Sequence, residues 1–201
     1  IDGVSPFSRA LNEGARKVRT PFFVQVDADM ILDPACFEIL RRHVRSDSGI
    51  VVGALRDALA GQAIGVKLFR AESFRSMAMP DSISPDTDFG AGLQRLGWQV
   101  HYVRPESAGS TEWPTLGEHR PDYTPSYTYR KMLLEGARLV HRPARHGLVS
   151  RMIDLERSRH PMAVLAHVAL AHGLFLPLTR DELKPSAEDP RARGLTEFLE
   201  R

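Results

Sequence analysis

The stretch "TPFFVQVDADMILDP" (20–34) runs an apolar segment into two carboxylates one residue apart, then leaves through Asp33-Pro34. Phe22, Phe23, Val24 and Val26 are β-formers in a short run, the pattern of a buried strand. Asp27 and Asp29 stand at its carboxyl end, which is where ligands sit in open α/β sheets. Asp33 reads as an N-cap and Pro34 as the first residue of the next helix. Two acidic side chains at such an edge repel each other unless a cation or hydrogen-bond donors compensate. A metal or phosphate–metal site answers that repulsion. The plainer alternative is a polar turn in which Asp33 caps the following helix.

Outward from this stretch, helices and strands alternate. Ser5-Pro6 opens a helix to about Val18, with Phe7, Ala10, Leu11, Ala15 and Val18 on one face. A helix from Pro34 to Arg45 follows the double Asp, with Phe37, Leu40 and Val44 at helical spacing. "GIVVGAL" (49–55) and "QAIGVKLFR" (62–70) read as strands, with Ala60-Gly61 as the turn between them. A short helix at "AESFRSM" (71–77), a helix ending at Gly97 and a strand from Trp98 to Val103 complete an α/β layer pattern. After Arg104 comes a polar loop to about residue 125, then helices over 125–142, 147–159, 161–176 and 190–200. The expected organisation is a core over 1–142 and a helical C-terminal extension over 143–201.

Composition bounds the function. With 201 residues, 42% hydrophobic and 26% charged, the chain is long enough for a sizeable core. A net charge of +2 gives no general electrostatic case for nucleic acid. The lone Cys36 excludes an internal disulfide, fits a reducing compartment and reads as a core thiol. No signal peptide opens the chain, and it lacks an initiator Met. The apolar run 162–178 is short for a membrane span and contains two histidines, so it reads as a buried helix. The expected location is cytoplasmic, with peripheral membrane contact as a further option.

Three features carry chemistry: Asp27-Ala28-Asp29; Asp86 and Asp88 at a helix start pinned by Pro85; and His119 in the long loop. In order they give strand, D-x-D, helix, two strands, acidic helix start, Gly-Trp, strand and loop His. That order resembles the family 2 glycosyltransferases of the GT-A fold. Their second motif, E-D-x-D/E-L-x-x-R-L-x-x-x-G-[WY], is met by Asp86, Asp88, Phe89, Arg95-Leu96 and Gly97-Trp98, with shorter spacing and Pro85 in place of the usual Glu. The family's A-R-N-x-G appears as Ala10-Leu11-Asn12-Glu13-Gly14. The resemblance covers residues 4 to 135, and the family's nucleobase-binding strands should precede it.

The resemblance implies a GT-A-like (nucleotide-diphospho-sugar transferase) mixed sheet flanked by helices. It implies transfer of a sugar from a nucleotide-sugar donor to a hydroxyl acceptor on a glycan, lipid or protein, with inversion. Asp29 would ligate a divalent metal, Mn²⁺ or Mg²⁺, and Asp27 would contact ribose or bind through water. His119 is a further candidate ligand, favouring Mn²⁺. Asp86 would be the general base and Asp88 would position the acceptor. Asn12 falls in the donor region, and Trp113 is a candidate for stacking on a sugar ring or for anchoring the loop. With its first strands missing, the sheet should have an open edge beside "PFFVQVD", covered by an upstream segment, the helical tail or a second copy in a homo-oligomer.

Two rivals remain. A haloacid-dehalogenase-type phosphotransferase asks for Thr or Val where Ile31 stands. A non-catalytic, glycosyltransferase-like binding or assembly module is the alternative from another functional class.

Overall fold

The computed structural model describes residues 6–104, 113–141 and 146–176. The elements are α1 (Phe7–Lys17), β1 (Phe22–Gln25), β2 (Met30–Leu32), α2 (Cys36–Arg42), β3 (Ser48–Asp57), β4 (Gly61–Arg70), α3 (Ala71–Ser76), α4 (Pro85–Arg95), β5 (Gln99–Tyr102), β6 (Thr115–His119), α5 (Pro125–Val140), α6 (His146–Arg157) and α7 (Ala163–Gly173). They divide into two compact units. The first is Ile1–Asp57, Gln62–Asp81 and Pro85–Arg120; the second is Ala58–Gly61, Ser82–Ser84 and Pro121–Arg201.

Unit 1 is a mixed α/β layer built on period-2 strands. In β1, Phe22 and Val24 join one core with Val51, Leu55, Val66 and α2's Cys36 and Leu40. Phe23 points the other way, into a core with Ile50, Val52, Phe69 and α4's Phe89 and Leu93. Leu11 of α1 and Phe74 of α3 pack against this second core. Alternate side chains of each strand therefore bury on opposite faces, and helices cover both. Phe23 and Phe69 stack at 5.3 Å, while Phe74 and Phe89 approach to 4.5 Å. Fully burying a ring such as Phe69 or Phe89 contributes roughly 1.5–3 kcal/mol.

The six-stranded sheet has the order β1-β4-β3-β6-β2, with β5 also paired to β3. Strand β3 runs parallel to both β5 and β6, whereas β1–β4 and β2–β6 are antiparallel. Strands β1 and β2 are consecutive in sequence yet stand at opposite ends of this order. Across a flat sheet they would lie about 19 Å apart. The link from Gln25 to Met30 contains a turn, closed by Met30 N–H donating to Asp27 O at 3.1 Å. Such a link reaches only about 14 Å, so the sheet must curl.

Three expectations are corrected here. Asp33 does not cap a helix: α2 starts at Cys36 behind Ala35, with no side-chain cap. The chain after the double Asp instead forms β2, and Asp33 N–H extends its pairing by donating to Leu116 O at 3.1 Å. Part of the supposed long loop is strand β6, which makes His119 a strand residue. Phe37, expected on a buried helix face, is 54% exposed. The expected helix over 190–200 lies outside the described residues.

Unit 2 is helical. Met132, Leu139, Leu155, Ala166, Ala169 and Leu170 form its core. Helices α5 and α7 cross at Gly136 and Gly173, where a Cβ would fall 2.2 Å from Leu170 O and 2.1 Å from Leu133 O respectively. Only glycine permits that approach. Helix α5 lies in the same unit as α6 and α7, within its longest segment, Pro121–Arg201. Among the described residues, no helix is long and apolar enough to cross a membrane.

Candidate functional site

The turn from β1 to β2 sends its two carboxylates to different partners. Gln25, 8% exposed, donates from Nε2 to Asp27 Oδ1 at 3.1 Å, so Asp27 is held by its own strand. Asp29 reaches across the curl: its Oδ2 lies 3.3 Å from His119 Nε2. Its backbone oxygen also accepts from Arg120 N–H at 2.7 Å, which fixes the turn against the end of β6.

His119 owes its position to strand pairing on both sides. It stands opposite Met30 in β2 and opposite Asp57 in β3. Its Nδ1 lies 2.6 Å from Asp57 Oδ2, and the Asp57 side chain is 2% exposed. Gly117 brings the two short strands together. Its φ is +146°, and a Cβ there would fall 2.2 Å from Ile31 O. Any larger residue would push β6 away from β2 and carry His119 off Asp29.

Among the described residues, no group of three or more His, Cys, Asp or Glu side chains is arranged to hold a metal ion. The pair Asp29 and His119 still has the chemistry for part of a coordination shell. Neighbouring ligands of an octahedral ion with bonds near 2.1 Å stand about 3 Å apart, close to the 3.3 Å found here. An ion that keeps waters and takes phosphate oxygens needs only one or two carboxylates from the protein. The residues therefore fit a divalent ion arriving with a phosphorylated ligand, and they do not form a closed cage. Asp27, tied to Gln25, stands apart from the pair.

A second polar cluster lies along β1 and β4. Asp86, in the first turn of α4, forms an ion pair through Oδ2 with Lys67 Nζ. Lys67 is the register partner of Gln25. Asp86 Oδ1 and Gln25 Oε1 are both buried and lack a hydrogen-bond partner among the described residues. Asp88 is exposed in the same helical turn.

The remaining site candidates, Asn12 and Trp113, make contacts within the chain. Asn12 is turned to the backbone of Met79, donating to its oxygen at 2.9 Å and accepting from its N–H at 2.8 Å. Trp113 is half-buried; its backbone oxygen accepts from Gln62 Nε2 at 2.8 Å, and its ring meets Tyr102 edge-on at 5.4 Å.

Asp57, Gln25 and Lys67 were missed in the sequence. Gln25 and Lys67 did leave a signal: each is a lone polar residue inside an apolar strand, in "FFVQV" and "IGVKLF". The chain matches no protein-family model, no curated protein and no solved structure.

Proposed function

We propose that the chain is a metal-dependent glycosyltransferase with a GT-A-like core, moving a sugar from a nucleotide donor to a hydroxyl acceptor. One observation carries this reading. Asp29 and His119 come from separate sequence features, and they meet at 3.3 Å where the link from β1 enters β2 beside the end of β6. These two residues would hold Mn²⁺ or Mg²⁺. When bound, the ion would stabilise the negative charge of a leaving diphosphate. Asp27, steadied by Gln25, is assigned the ribose contact that the family resemblance implies.

Asp86 takes the role of general base. Lys67 pairs with Oδ2 and fixes the carboxylate, while the buried Oδ1 accepts no hydrogen bond among the described residues. The acceptor's hydroxyl oxygen attacks the anomeric carbon and its proton passes to the Asp86 carboxylate. The bond from that carbon to the diphosphate oxygen breaks, with inversion. Asp88, exposed one residue beyond Thr87, contacts the acceptor.

The test is sugar-nucleotide hydrolysis with and without Mn²⁺, beside calorimetry of nucleoside diphosphate binding. Metal-dependent hydrolysis supports a catalyst. Metal-dependent binding with no turnover under any acceptor would make the chain a binding module, and no metal-dependent binding at all would overturn the reading.

A further inference from the structure

We infer that Asp57 is a positioning residue: it locks His119 in the tautomer whose Nε2 lone pair faces Asp29. The inference rests on the metal-site reading for its purpose, but its geometry stands alone. The two contacts of the imidazole are unequal. Nδ1 lies 2.6 Å from Asp57 Oδ2, at the short limit of a charge-assisted hydrogen bond, whereas Nε2 lies 3.3 Å from Asp29 Oδ2, well beyond that range. A neutral imidazole has one ring proton, and the short contact claims it. Nε2 then turns an acceptor towards a carboxylate, which is also an acceptor. That juxtaposition is unfavourable unless something positive lies between them.

Burial makes the lock one-sided. Asp57 is nearly inaccessible while Asp29 is 35% exposed at its side chain, so water can serve Asp29 but scarcely reaches Asp57. If the ring proton moved to Nε2, the buried Asp57 oxygen would face the Nδ1 lone pair and lose its donor without water to replace it. The backbone leaves little slack. Asp57 and His119 are register partners on parallel strands, 62 residues apart in sequence. A carboxylate behind a ligating imidazole is the arrangement by which proteins orient a histidine for a metal. Here it would make Nε2 and Asp29 a matched pair of donor atoms before any ion arrives.

The experiment reads the ring itself. Nitrogen-15 NMR of the full chain without metal, in mildly alkaline buffer, reports which ring nitrogen of His119 carries the proton. The parent should show Nδ1–H. In Asp57→Asn, the side-chain amide can donate to Nδ1, and the Nε2–H tautomer should appear. Mn²⁺ alone is then titrated into both proteins, followed by paramagnetic resonance. Asp57→Asn should weaken Mn²⁺ binding by roughly 10- to 100-fold with its thermal transition retained. If that variant does not fold, the parent spectrum still decides: an Nε2–H tautomer there overturns the inference. Mn²⁺ affinity that survives Asp57→Asn, with the tautomer unmoved, also overturns it. An Nδ1–H parent that binds no Mn²⁺ supports Asp57's role and defeats the metal-site reading instead.

Discussion

Lys67 and Asp86 join the middle of β4 to the first turn of α4, and they do so beside two buried oxygens that have no donor among the described residues. An ion pair alone would leave nothing to explain. The unsatisfied Oδ1 of Asp86 makes the pair a support for a carboxylate that still lacks a hydrogen-bond donor. Asp86→Asn should lower turnover by roughly 10²-fold or more, the scale of general-base removal, with diphosphate affinity unchanged. If Asp88→Asn is the severe variant and Asp86→Asn the mild one, the base has been assigned to the wrong acid. Lys67→Met should destabilise by only about 1 kcal/mol in urea denaturation, because the Asp86 side chain is 41% exposed.

Asp29→Asn should abolish Mn²⁺-dependent binding of a nucleoside diphosphate while the fold persists. The change neutralises a part-exposed carboxylate whose backbone bond to Arg120 remains. Calorimetry gives the affinity and circular dichroism the fold. Equal affinity in variant and parent would remove Asp29 from the site.

Gly117→Ala should be far more damaging than a surface glycine replacement. The added Cβ meets the backbone oxygen of Ile31 at 2.2 Å, and φ of +146° is strained for any L side chain. A loss of about 2 kcal/mol or more in chemical denaturation is expected. The variant should also lose Mn²⁺ affinity, since β6 carries His119.

Cys36 gives a pH dependence. Burial first, and the charge of Asp33 second, push its thiol from 9.0 up to about 11. The folded state therefore favours the protonated thiol more than the unfolded chain does. Its contribution is complete below pH 9 and is lost as pH rises towards 11, by roughly 3 kcal/mol at the upper end. Cys36→Ala should flatten that alkaline limb in denaturation curves, and the native thiol should react slowly with disulfide reagents at neutral pH.

Much of unit 1 was legible because its strands are buried on both faces. Runs such as "FFVQV" and "GIVVGAL" cannot be satisfied in an amphipathic helix, and their turns are marked by Gly and Asp. Strand β2 was not legible, because three residues before Asp-Pro carry too little pattern to outweigh a helix signal. Strand β6 was hidden for a related reason: "TLGEH" buries only Leu116 and Gly117, and it exists through pairing on both sides. Asp29 and His119 could be named in the sequence, but Asp57 could not. Nothing local distinguishes a buried Asp at a strand end from one that opens a turn; only the register with His119 does.

The curl of the sheet gives the site a mechanical character. The link that ends β1 and begins β2 acts as a seam, and its far side is held by three register pairs between β2 and β6. Unzipping those pairs would part Asp29 from His119 while leaving β1, β3 and β4 joined and the aromatic core, which takes no side chain from β2 or β6, intact. The seam can therefore open at a free energy well below that of global unfolding. Amide hydrogens of β6 should exchange earlier than those of β3, and an ion bridging Asp29 and His119 would act as a stitch, slowing that exchange at one edge of the sheet only.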